Sequence, residues 1–196
     1  MTSSPSSPTA PDQALRGRYP DEIERTWQPA GAPPLFIRPL RADDLARERE
    51  FIEGLSAQTL YLRLQYSATG TSERDLQRLL DLDYYDRCAI VAIATHAGSD
   101  HIVGVSRYAR IDESRRAECA IVVADAWQGR GLGSELMRAL ADAARARDID
   151  CLVGSTLAEN SRIAAWARRF GFSVRTEPNS GGLVVVQLDI TTLSPN

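Results

Sequence analysis

Gln128-Gly129-Arg130-Gly131-Leu132-Gly133 stands between an apolar run, Ala120-Ile121-Val122-Val123, and an amphipathic run that begins at Leu132. Leu132, Leu136, Leu140 and Ala144 recur on one face of that second run, which reads as a helix to about Arg147. A glycine-rich turn between strand and helix bares main-chain N–H groups at the helix start. The helix dipole adds positive charge there, so the junction attracts phosphate. The spacing is Gln-x-x-Gly-x-Gly. It is neither the Gly-x-Gly-x-x-Gly of dinucleotide turns nor the Gly-x-x-x-x-Gly-Lys-Ser/Thr of nucleotide triphosphate loops.

Upstream, Leu35-Phe36-Ile37-Arg38 reads as a first strand, and Asp43 can cap a helix running towards Leu55. Residues 56–64 read as a second short helix, and Ser72-Glu73-Arg74-Asp75 opens a third. Three strands follow, Cys88 to Ala94, Ile102 to Ile111 and Arg115 to Val123. Downstream of the glycine turn and its helix, Cys151 to Leu157 is a fifth strand. Asn160 opens a helix that stops before Gly171. Phe172-Ser173-Val174 and Leu183 to Leu188 close the chain as two strands. This order predicts an α/β (α+β) fold, a mixed sheet with helices on both faces.

The 196 residues suffice for one domain with a real core and are few for two. Residues 1–18, rich in Ser, Pro and Thr, read as a disordered tail. Residues 19–34 are an N-terminal extension whose aromatics can dock on the domain at 35–190, and 191–196 are a C-terminal tail. A net charge of −3 offers no global basic field, so no nucleic-acid partner is expected. No stretch is apolar enough to span a bilayer, so no membrane partner is expected. Met1-Thr2-Ser3-Ser4-Pro5 lacks the basic and apolar parts of a secretory signal, and the expected location is cytoplasmic. Cys88, Cys119 and Cys151 read as buried hydrophobes, and His96 and His101 as loop residues flanking a turn, so no metal is expected.

The glycine loop resembles the pyrophosphate loop of the GNAT acyltransferases, which use acetyl-CoA. Asn160-Ser161-Arg162 followed by Arg169-Phe170-Gly171-Phe172 is similar to a second GNAT segment, and the order of elements matches over most of 35–190. The resemblance implies the GNAT fold, with a mixed, mostly antiparallel sheet of about seven strands. A narrower likeness runs through Tyr19-Pro20-Asp21-Glu22-Ile23-Glu24, Leu55 to Arg63, and Ala117-Glu118 leading into Trp127-Gln128. These segments are similar to the catalytic domain of bacterial Pat-type protein lysine acetyltransferases. The stretch before Tyr19 is too short for a folded regulator, so a stand-alone catalytic domain is expected.

The resemblance implies a site. Ile121, Val122 and Val123 pair with pantetheine where two strands splay, while also being plain core strand. Gln128, Gly129, Arg130, Gly131, Leu132, Gly133 and Ser134 wrap the pyrophosphate. Arg130 is equally read as a solvated arginine. Asn160 contacts pantetheine or orders the site, and is equally read as a helix N-cap. Glu118 matches the general base that must deprotonate a lysine amine of reference pKa about 10.4. Many members carry a tyrosine, proposed as general acid, where this chain has Ala167. A thiol of pKa about 8.5 leaves tolerably as thiolate without one. All 23 basic side chains are arginine, so the chain has no lysine side chain of its own to acetylate. The expected activity is acetyl-CoA-dependent N-acetylation by direct transfer. Its acceptor is a protein lysine, for instance on an acyl-CoA synthetase. A small-molecule amine acceptor and a silent acyl-CoA-binding sensor are the alternatives.

Overall fold

Strands β1 (Arg25–Trp27), β2 (Leu35–Pro39), β3 (Arg87–His96), β4 (Ser99–Arg110), β5 (Arg116–Val123), β6 (Cys151–Leu157), β7 (Ser173–Thr176) and β8 (Leu183–Asp189) form one sheet. Their order is β1-β2-β3-β4-β5-β6-β8-β7. Every neighbouring pair is antiparallel except β5 and β6, which are parallel. The helices are α1 (Leu45–Glu53), α2 (Ala57–Leu64), α3 (Glu73–Leu80), α4 (Leu132–Arg145) and α5 (Ser161–Phe170). The structure is a computed structural model that describes residues 15–64, 73–176 and 182–194. Residues 1–14, 65–72, 177–181 and 195–196 lie outside the described residues, and with them most of the expected tail and Ser72.

The strand β3 reads as a continuous apolar run because both of its faces are covered. Cys88, Ile90 and Ala92 meet Leu136, Leu140 and the rest of the α4 stripe on one side. Ala89, Val91 and Ile93 meet Phe51 and Leu55 of the α1 region on the other. The α4 stripe of Leu132, Leu136, Leu140 and Ala144 is buried, as its spacing predicts. Truncating Leu136 or Leu140 to alanine would cost about 2–5 kcal/mol at such sites. Cys88 and Cys119 lie in the core, and burial pushes the Cys88 thiol up to about 12.

Three local readings differ from the expectation. An eighth strand, β1, joins the sheet beside β2. It brings Ile23, just before it, into the core. The turn before α1 is closed by Asp44 rather than Asp43. Asp44 accepts the Arg41 N–H at 2.9 Å and is clasped by the Arg38 guanidinium at 2.6 and 2.8 Å. A short 3-10 turn, Ala42–Asp44, shifts the helix start past Asp43. The chain before Tyr19 is docked from Arg16 on. Arg16 pairs with Asp86 at 2.5 Å and lies 4.6 Å from the Tyr85 ring centroid.

Candidate active site

The site begins where the sheet comes apart. β5 and β6 pair over only three residues, Arg116 to Glu118 against Cys151 to Val153. At the branch, a Cβ on Gly154 would sit 3.0 Å from the Cys119 carbonyl oxygen. Only glycine lets the strands touch there before they diverge.

Backbone parity decides what the gap exposes. Ile111 N–H bonds to Arg116 O, and Ala124 N–H bonds to Val103 O, both at 2.9 Å. Even-numbered residues of β5 therefore spend their backbone groups on β4, and odd-numbered residues turn theirs towards β6. Beyond the branch, Ile121 and Val123 face the gap, whereas Val122 is committed to β4. The expectation that all three offer their amides is thereby narrowed to two. Val122 instead lends its side chain to the core under the early helices.

The gap ends at the glycine loop. Gly129 and Gly131 have φ of +77° and +87°, values that a side chain strains against. Among the described residues, no acceptor takes the N–H groups of Gly129, Arg130, Gly131, Leu132 or Gly133. Such a run of N–H groups at the head of α4 is a cradle for an anion. Two aromatics and an arginine hold it. Trp27 of β1 packs where a Gly131 Cβ would stand 3.7 Å from its ring. Trp166 donates from Nε1 to Ser134 Oγ at 3.0 Å. Arg162 donates to Gln128 Oε1 at 2.8 Å, and Gln128 Nε2 donates to the Val123 carbonyl at 3.0 Å. Gln128 is thus a cross-tie between β5 and α5. Arg130 is exposed and stacks over Trp127, 5.6 Å from the ring centroid.

A brace that the sequence did not announce fixes α2 beside the gap. Asp125 accepts from Ser56 N, Ser56 Oγ and Thr59 Oγ1 at 3.1, 3.0 and 2.8 Å. The Ser56 backbone bond, with those of Thr59 and the Ser56 hydroxyl, holds the Asp125 carboxyl below its ordinary value. At the other end of α2, Tyr61 bonds Glu159 beyond β6, which raises the Tyr61 hydroxyl. α2 therefore reaches from the β5 side of the gap to the β6 side. The signal for the brace was Ser56-x-x-Thr59, a polar helix start, but its partner lies 66 residues from Thr59.

Glu118 is exposed and lies at the branch, directly opposite Val153. Its row continues across the sheet through Val153, Gln187 and Ser173. Glu118, Gln187 and Ser173 are exposed, as are Ser155 and Arg175 on the same face, so this side of the sheet is open beside the carboxylate. Asn160 is an N-cap, its side chain accepting Ile163 N–H at 3.3 Å. Ala167 is buried in the main core. The arrangement can hold a polyphosphate at one end and present a carboxylate and main-chain donors near the branch.

A family model described as the acetyltransferase (GNAT) family matches residues 56–172. A curated acetyltransferase of Pseudomonas aeruginosa is 36% identical over 154 residues, which is 79% of this chain and 83% of its own length. The acetyltransferase Pat of Mycolicibacterium smegmatis is 28% identical over 79% of this chain, and the chain spans 45% of that relative's length. The crystal structure of the GNAT domain of S. lividans Pat superposes with a TM-score of 0.80 at 27% identity, covering 88% of this chain and 99% of that one.

Proposed function

Because the chain belongs to the acetyltransferase (GNAT) family, we propose that it acetylates the ε-amine of lysines on a protein, with Glu118 as general base. The observation that carries this reading is the divergence of β5 from β6 just past Glu118, ending at a cradle of free N–H groups. Acetyl-CoA fits that layout, and it supplies the activated acetyl thioester. The N–H groups of 129–133 hold its diphosphate, and the Ile121 and Val123 backbone runs along the pantetheine. The Ile121 N–H donates to the thioester oxygen as charge gathers there. Glu118 takes a proton from the amine, directly or through water, because a lysine of pKa about 10.4 arrives protonated. Transfer is direct, with both substrates bound and proximity lowering the barrier.

Two observations support a protein acceptor over a small amine. Glu118 is exposed on an open sheet face, which suits a protein surface, whereas small ligands are held in enclosed clefts. The relatives named Pat are the second support. The test is mass spectrometry of a host lysate incubated with the enzyme and isotopically labelled acetyl-CoA. Label on discrete protein lysines is the expected result. Label confined to one small amine would overturn the acceptor, and no label above the Glu118→Gln control would overturn the base.

A further inference from the structure

Glu135 places negative charge beside a site built for an anion. It stands in the first turn of α4, just behind the glycine loop, and it is buried. The unsatisfied N–H groups and the dipole at that end of a helix attract a carboxylate as readily as a phosphate. A diphosphate held by the loop needs those same N–H groups, and a bare carboxylate beside them opposes it as a like charge.

The compensating charge comes from 110 residues away, in β1. Arg25 lies opposite Ile37 and Trp27 opposite Leu35 on the β1–β2 ladder. Ile37 and Leu35 belong to the core beneath α4, so Arg25 and Trp27 share that face, while Thr26 is exposed on the other. Two residues of strand span about 6.8 Å. Four residues of helix rise about 6 Å. The two side chains therefore meet the head of α4 one turn apart. Trp27 packs against Gly131, and Arg25 Nε donates to Glu135 Oε1 at 2.8 Å, with Nη2 2.8 Å from the same oxygen. The Arg25 side chain is 28% exposed and that of Glu135 8%, so water screens the pair little.

We propose that Arg25 is a positioning residue for cofactor binding that acts through Glu135: it neutralises this carboxylate and holds it off the N–H groups of the glycine loop. Without Arg25 a buried carboxylate loses its guanidinium, and the N–H groups of 129–133 are donors that can replace it. The carboxylate then competes with the cofactor's diphosphate for the same cradle. The inference rests on the acetyl-CoA reading of the loop. It adds a task for the N-terminal extension, whose docked strand keeps the cradle clear.

The experiment is titration calorimetry of the full chain with coenzyme A. Arg25→Met keeps the aliphatic stem and removes the charge, and it should weaken binding by about tenfold. Glu135→Gln keeps the shape and removes the carboxylate, and it should bind coenzyme A as tightly as the wild type or more tightly. The double variant should match Glu135→Gln, because no carboxylate is left for Arg25 to hold off. A tie that serves only to anchor β1 behaves symmetrically, each single variant weakening binding alike and the double variant recovering nothing. That outcome, or wild-type affinity in Arg25→Met, would overturn the proposal and leave the diphosphate loop standing. If Arg25→Met does not fold, the other two variants decide: equal affinities support the proposal, and a weaker double variant overturns it. A wild type that does not bind coenzyme A would overturn the cofactor reading itself.

Discussion

A carboxylate serves as a base only where substrate can reach it, and the chain shows both fates of an acidic side chain. Glu118 is exposed at the branch of β5 and β6. Glu118→Gln keeps the shape and removes the proton acceptor. Acetyl transfer should fall by about two decades or more, while coenzyme A binding measured by calorimetry stays near the wild-type value. Full activity in that variant would mean that the proton leaves by another route. Asp44 is the opposite case, fully buried and clasped by Arg38. Burial alone would raise its carboxyl, but the Arg38 hydrogen bonds, the Arg41 N–H and the charges of Arg38 and Arg47 together hold it below the ordinary range. A depressed folded value means stabilisation that is complete above the unfolded value of about 3.9 and lost as pH falls through the folded one. Asp44→Ala strands the buried Arg38 charge and should cost about 3–5 kcal/mol at neutral pH. In urea titrations the gap between wild type and variant should narrow below about pH 4. A gap that did not change with pH would show that the loss is one of packing and not of charge.

The element whose position matters most to the site, after the glycine loop, is α2. Eight residues are too short to hold a helix in water, so tertiary bonds must fix it. Asp125→Ala removes three of them, and each such bond contributes on the order of 1 kcal/mol. Amide exchange should quicken in 57–64 and stay unchanged in β3 and β4. Uniform acceleration across the sheet would mean that the brace is not local. The same comparison shows what a sequence can reveal. The glycine loop, the β3 run and the α4 stripe were legible because periodicity and glycine spacing are local properties. β1 was not, since three residues followed by the Pro29–Pro34 breakers carry no period. The Asp43-for-Asp44 shift came from a 3-10 turn that a cap rule does not foresee. Which amides of Ile121, Val122 and Val123 face the gap is set by pairing with β4, a partner that spacing along β5 does not name. The Asp125 brace joins residues from separate elements, and no window along the chain contains both halves.

At the scale of the molecule the one sheet has a weak seam. β4 and β5 pair over seven residues and so do β6 and β8, but β5 and β6 share three. On the helical face the halves meet again through Trp166 on Ser134 and through Arg162 on Gln128, which is itself tied to the Val123 carbonyl. A ligand lying in the gap adds a bridge between the halves beside the one that α2 makes, and it binds the folded form alone. At a hundred times its dissociation constant such a ligand adds about 2.7 kcal/mol, which for a chain of this size corresponds to a rise of about 5–10 °C in melting temperature. The parity of β5 makes the accompanying exchange pattern specific. Without ligand, the Val122 amide, turned to β4, should exchange slowly, and the Ile121 and Val123 amides, turned to the gap, should exchange fast. Coenzyme A should slow Ile121 and Val123 and leave Val122 as it was. Nuclear magnetic resonance resolves the three amides separately. A melting temperature unmoved by saturating acetyl-CoA, with Ile121 and Val123 still fast, would mean that the gap is not where the cofactor lies.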